Sequence, residues 1–105
     1  GNSRVSDLGD YRQPAVLRAI RATVEATEGT DVWVGMCGEM AGDPELTGLL
    51  VGLGLDELSM SAVTVPQVKR AVTETTVSDA RDLAERALAA STKAEVEAVL
   101  TETTR

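Results

Sequence analysis

The sequence predicts a helix-rich α/β chain. Two short apolar runs, Val32-Trp33-Val34 and Leu55 to Met60, have strand character, and a leucine stripe at helical spacing lies between them. Strands separated by a helix imply parallel pairing through a crossover connection. Further apolar residues at helical spacing flank the pair, giving the order helix, strand, helix, strand and three helices.

The stretch from Gly1 to Arg12 is polar and without periodicity, and reads as a loop or extended lead-in. Pro14 suits the first turn of a helix, where a missing N–H costs nothing. Leu17, Ile20 and Val24 form its apolar face, with Val16 beside them, and Gly29 ends it. Arg12, Arg18 and Arg21 read as a solvated basic patch. Val32-Trp33-Val34 has few polar positions, as in a strand buried on both faces, and Trp33 reads as core. Asp43-Pro44-Glu45 opens the next helix, with Asp43 as N-cap and Pro44 in the first position. Leu46, Leu49, Leu50 and Leu53 supply its stripe, and Gly54 closes it.

Leu55 to Met60 reads as the second strand. Asp56 and Glu57 are solvated at its start, and Ser59, Met60 and Ser61 are packing residues. Pro66 opens a helix carrying Val68 and Val72. Ser78 caps the following one, with Ala80, Leu83, Ala84, Ala87 and Leu88 inward. Thr92-Lys93-Ala94-Glu95 has the form of a capping box before Val96, Val99 and Leu100. Two parallel strands leave unpaired backbone on both sides, so the chain reads as a piece of something larger.

Composition narrows the function. The 105 residues suit one domain, and 43% apolar content marks a globular chain. No apolar run approaches the roughly 20 residues that span a bilayer, and the N-terminus lacks the apolar segment of a signal peptide. A net charge of −7 argues against nucleic acid as a partner. The abundance of acid, with Lys69 and Lys93 as the only lysines, would suit a protein kept soluble in high salt. A single cysteine forms no internal disulfide, which suits a reducing cytoplasm.

That cysteine, Cys37, stands between Gly35-Met36 and Gly38, past a predicted strand and ahead of a helix start. A lone cysteine is often a small buried hydrophobe. A thiol at a strand end between glycines is instead placed to meet a ligand, since glycine lets backbone and ligand approach closely. Met36 and Met40 read as packing residues at the rim. Glu39 and Asp43 are candidate metal ligands by type, but capping and surface solvation account for them.

Met36-Cys37-Gly38-Glu39-Met40-Ala41-Gly42-Asp43 and the run Leu49 to Ala62 resemble the C-terminal end of the phosphoenolpyruvate-protein phosphotransferases, enzyme I of the sugar phosphotransferase system. Pro14-Ala15-Val16-Leu17-Arg18 and Val65-Pro66-Gln67-Val68-Lys69 are similar to the same family in one register. Pyruvate-phosphate dikinases and phosphoenolpyruvate synthases share the cysteine element, but usually differ over Leu58 to Ala62.

The resemblance implies that residues 1–105 are the C-terminal part of a phosphoenolpyruvate-binding (β/α)8 TIM barrel, with Val32 to Val34 as its seventh strand and Leu55 to Met60 as its eighth. A whole barrel needs about 250 residues. Gly1-Asn2 resembles the second half of the family's Asp-Arg-Gly-Asn stretch, which would put a phosphate-binding arginine just ahead of this sequence. The resemblance further implies transfer of phosphate from phosphoenolpyruvate to the enzyme's own histidine and on to a phosphocarrier protein, in a cytoplasmic homodimer. Mg2+ would be held by carboxylates upstream, and Cys37 would donate a proton to the pyruvate enolate. A free thiol is mostly protonated at neutral pH and can serve so. The chain has no histidine, so it cannot itself carry the phosphohistidine. Three readings compete: a catalytic part of this enzyme, inactive alone; a structural and dimerisation segment; and part of a dikinase or synthase.

Overall fold

The computed structural model describes residues 11–103. The reading of residues 1–10 as an extended lead-in lies outside the described residues. The element order is the predicted one: α1 (Pro14–Ala26), β1 (Gly35–Cys37), α2 (Thr47–Leu53), β2 (Glu57–Ser59), α3 (Val65–Thr73), α4 (Val77–Leu88) and α5 (Lys93–Thr103). The strands pair in parallel, with Gly35 opposite Glu57, Met36 opposite Leu58 and Cys37 opposite Ser59. Parallel pairing and the intervening helix are consistent with the family architecture. Two strands by themselves close no barrel.

The helical core follows from the leucine stripe. Leu46, Leu49, Leu50 and Leu53 have no exposed surface, and Leu17, Leu83, Val96 and Leu100 pack with them. Burying one such side chain is worth about 2 kcal/mol. Gly52 lets α2 lie directly on α4: a Cβ there would stand 1.9 Å from the Ala80 carbonyl oxygen. Gly54 ends α2 in the left-handed region, at φ 101°.

Helix starts and ends differ in detail from expectation. Helix α1 ends at Ala26, and Gly29 closes the turn behind it at φ 78°. Asp43 caps a turn rather than the helix itself: its carboxylate accepts from the Glu45 N–H at 3.0 Å, and α2 begins at Thr47. Thr76, not Ser78, caps α4, accepting from the Asp79 N–H at 3.1 Å. The capping box before α5 is shifted on one side. Thr92 accepts from the Glu95 N–H, while the Glu95 carboxylate reaches Ser91 rather than Thr92. Val68 is buried as expected, but Val72 is 43% exposed.

The largest correction concerns the first strand. Pairing begins at Gly35, so Val32 and Trp33 precede β1 and are 60% and 75% exposed. Trp33 is not core. Val34 is tied to Asp56 by two hydrogen bonds of 2.9 Å, one in each direction. Before Val34 no strand partner stands alongside among the described residues, and the apolar run stays uncovered. The three arginines stay at the surface, as expected, but each has a partner. Arg12 pairs with Asp43 and Glu45, Arg18 donates to the Ala90 carbonyl at 2.9 Å, and Arg21 donates to Glu85 at 2.9 Å.

Candidate functional site

Side chains alternate across a strand, and in this ribbon one face packs while the other stays open. Met36 and Leu58 are half-buried against the helical core. Gly35, Cys37, Glu57 and Ser59 are exposed on the opposite face. Cys37 is the last residue of β1 and lies directly beside Ser59, the last of β2. Both parallel strands therefore deliver a polar side chain to the same C-terminal edge. The Ser59 hydroxyl donates to the Glu57 carboxylate at 3.1 Å, along the same face.

The backbone turns sharply after Cys37. Gly38 takes φ 99°, a left-handed conformation that disfavours a side chain, and its N–H donates to the Ser59 carbonyl at 3.1 Å. The Gly42 N–H reaches back to the Gly38 and Glu39 carbonyls, each at 3.2 Å. A Cβ on Gly42 would stand 3.3 Å from that of Met60 and 3.1 Å from the Thr64 hydroxyl. Met40 and Ala41 are buried, so the loop after Cys37 is fastened into the core.

Two residues read as lead-in close over this loop. The Tyr11 hydroxyl donates to the Glu39 carboxylate at 3.2 Å. The Arg12 guanidinium lies 3.7 Å from Asp43 and 3.4 Å from Glu45. Partial burial, then the hydrogen bond to Glu39 and its charge, push the Tyr11 phenol above its ordinary range. Nothing local in the sequence marks this clasp, because its partners lie 28 positions apart.

The expected candidates therefore sort as follows. Cys37 is exposed and free at the strand end, and Met36 and Met40 pack as expected. Ser59 and Ser61 are exposed, which corrects their reading as packing residues, while Met60 is half-buried. Asp56 and Glu57 are exposed, though Asp56 also holds Val34. Glu39 and Asp43 are engaged by Tyr11 and Arg12, and among the described residues no group of three or more His, Cys, Asp or Glu side chains comes together as a metal site. No helix among the described residues is long and apolar enough to cross a membrane.

The exposed thiol at the C-terminal edge of two parallel strands, and the glycine turn that follows it, lie within the part of the chain that a family model matches. Residues 1–77 match the family model described as the PEP-binding domain of PEP-utilising enzymes, and the chain belongs to that family. Curated proteins similar to this chain include phosphoenolpyruvate-protein phosphotransferases. The one from Haloferax volcanii is 80% identical over 96% of this chain, that from Haemophilus influenzae 42% over 97%, and that from Bacillus subtilis 43% over 97%. The chain spans 18% of the length of each of these relatives.

Proposed function

We infer that the chain is the C-terminal part of a phosphoenolpyruvate-binding TIM barrel, in an enzyme that moves phosphate from phosphoenolpyruvate to its own histidine and then to a phosphocarrier protein. The observation that carries this reading is Cys37 at the C-terminal edge of two parallel strands, inside the matched family region. Barrel enzymes put their chemistry at that edge. The open face of the ribbon would be the barrel interior, and the unpaired strand edges would meet the remaining strands.

In the chemical step, phosphoryl transfer leaves pyruvate as its enolate. The Cys37 S–H bond breaks as a C–H bond forms at the enolate methylene carbon, leaving a thiolate and pyruvate. Gly38 keeps bulk away from the approach. Mg2+ in the longer enzyme would neutralise phosphate and enolate charge, held by residues outside this chain. The enzyme is proposed to be cytoplasmic and homodimeric.

Alone, the 105 residues lack histidine and would not turn over. Calorimetric titration of the chain with phosphoenolpyruvate and magnesium should show no micromolar binding; such binding would contradict the reading. Cys37→Ala in the longer enzyme should abolish pyruvate formation while phosphoenolpyruvate still binds.

A second reading is favoured by the exposed Val32 and Trp33 and the open strand edges. The segment would then act in dimerisation without chemistry, and Cys37→Ala would leave turnover intact. A dikinase or synthase would instead require ATP.

A further inference from the structure

Glu39 follows Cys37 by two residues, with only Gly38 between them. The backbone here is held by the Gly38 N–H on the Ser59 carbonyl and by the Gly42 N–H on the Gly38 and Glu39 carbonyls, which leaves the exposed Glu39 side chain as the part that can move. An untethered carboxylate at that position can swing toward the open face on which Cys37 stands. The structure has it tethered. The Tyr11 ring packs against the helical core, and its hydroxyl holds Glu39 at 3.2 Å. The next residue, Arg12, engages the two following acids, Asp43 at 3.7 Å and Glu45 at 3.4 Å. Two consecutive side chains thus take up the first three acidic residues after the thiol.

We propose that Tyr11 is a positioning residue that draws the Glu39 carboxylate toward α1, keeping the face before Cys37 open to an anionic, carboxylate-bearing substrate. The inference rests on the reading of Cys37 as proton donor to an enolate. The physical need is general: a fixed negative charge near the thiol repels a substrate of the same sign. In water, two unit charges about 6 Å apart change a local anion concentration about threefold. Tyr11 acts through Glu39 and touches no reacting atom.

The test uses the single thiol of this chain. Cys37 is alkylated in parallel by anionic iodoacetate and neutral iodoacetamide, at low ionic strength and one pH. Both reagents meet the same thiolate, so the ratio of their rates reports charge before the thiol. Tyr11→Phe keeps the ring and should lower the iodoacetate-to-iodoacetamide ratio about threefold. Glu39→Gln alone should leave the ratio within about 1.5-fold of the parent, because Tyr11 already holds that charge aside. The double variant should match Glu39→Gln. An unchanged ratio in Tyr11→Phe, or an equal change for both reagents, would overturn the proposal and leave Tyr11 as a structural brace. Alkylation needs no turnover, so this result stands or falls apart from the catalytic role of Cys37.

Discussion

The Tyr11 hydroxyl donates a 3.2 Å hydrogen bond to the Glu39 carboxylate, joining the segment before α1 to the loop that follows Cys37. The contact couples a helix lead-in to the C-terminal edge of the sheet. It also makes Tyr11 an internal reporter, since the chain has one tyrosine.

Tyrosinate absorbance should therefore titrate above the ordinary value of 10.0, because burial, the Glu39 hydrogen bond and the Glu39 charge all favour the neutral phenol. A folded-state pKa that is raised stabilises the fold fully below the ordinary value. That contribution is lost as pH rises through the raised one. Glu39→Gln should bring the midpoint back toward 10.0 without reaching it, since the burial contribution stays. Tyr11→Phe should remove this component of alkaline destabilisation. A midpoint at or below 10.0 in the parent would contradict the contact.

Two glycines of α2 should respond to alanine with opposite signs. At Gly52 a Cβ would stand 1.9 Å from the Ala80 oxygen, 2.5 Å from its carbonyl carbon and 2.9 Å from the Ala84 Cβ. Helix α4 would have to move, so Gly52→Ala should cost about 2–3 kcal/mol in denaturant unfolding. At Gly48 the nearest atom is the Leu83 Cδ2 at 3.5 Å, an ordinary contact. Gly48→Ala should then gain helix propensity, up to about 1 kcal/mol. Equal effects at the two sites would refute the α2–α4 packing described above.

Arg18 should matter more than an exposed helical residue normally does. Its guanidinium donates at 2.9 Å to the carbonyl of Ala90, just past the end of α4 and 72 positions away. A cation there gives the Ala90 carbonyl a donor and stands near the negative end of the helix dipole. Arg18→Met keeps most of the stem and removes the donor, and should destabilise the fold by about 1–2 kcal/mol. A thermal midpoint equal to that of the parent would show the bond to be idle.

What was legible in the sequence was local. Leu46, Leu49, Leu50 and Leu53 announce α2 by their spacing, and all four are fully buried. Gly54 marks its end for a steric reason that any sequence displays. The sequence places Cys37 beyond a strand at Val32 to Val34, whereas it is the last residue of β1 itself. The limits of β1 were not legible, because a strand begins where its partner offers hydrogen bonds. Asp56 and Glu57 set that start at Val34 and Gly35, and leave Trp33 outside. The Tyr11–Glu39 and Arg18–Ala90 contacts depend on chain folding and carry no local pattern. The Thr76 cap was readable: Thr76-Val77-Ser78-Asp79 holds a hydroxyl three residues before an acid, a signature that outweighs Ser78 alone.

The Cys37 thiol is proposed to deliver the proton that turns enolate into pyruvate. The most direct test is exchange of the pyruvate methyl protons with solvent deuterium, catalysed by the longer enzyme and followed by NMR. Positioned proton transfer contributes on the order of 100-fold or more. Cys37→Ala should therefore slow exchange by at least about 100-fold, with pyruvate affinity within about threefold of the parent. Exchange at the parental rate in Cys37→Ala would contradict the account.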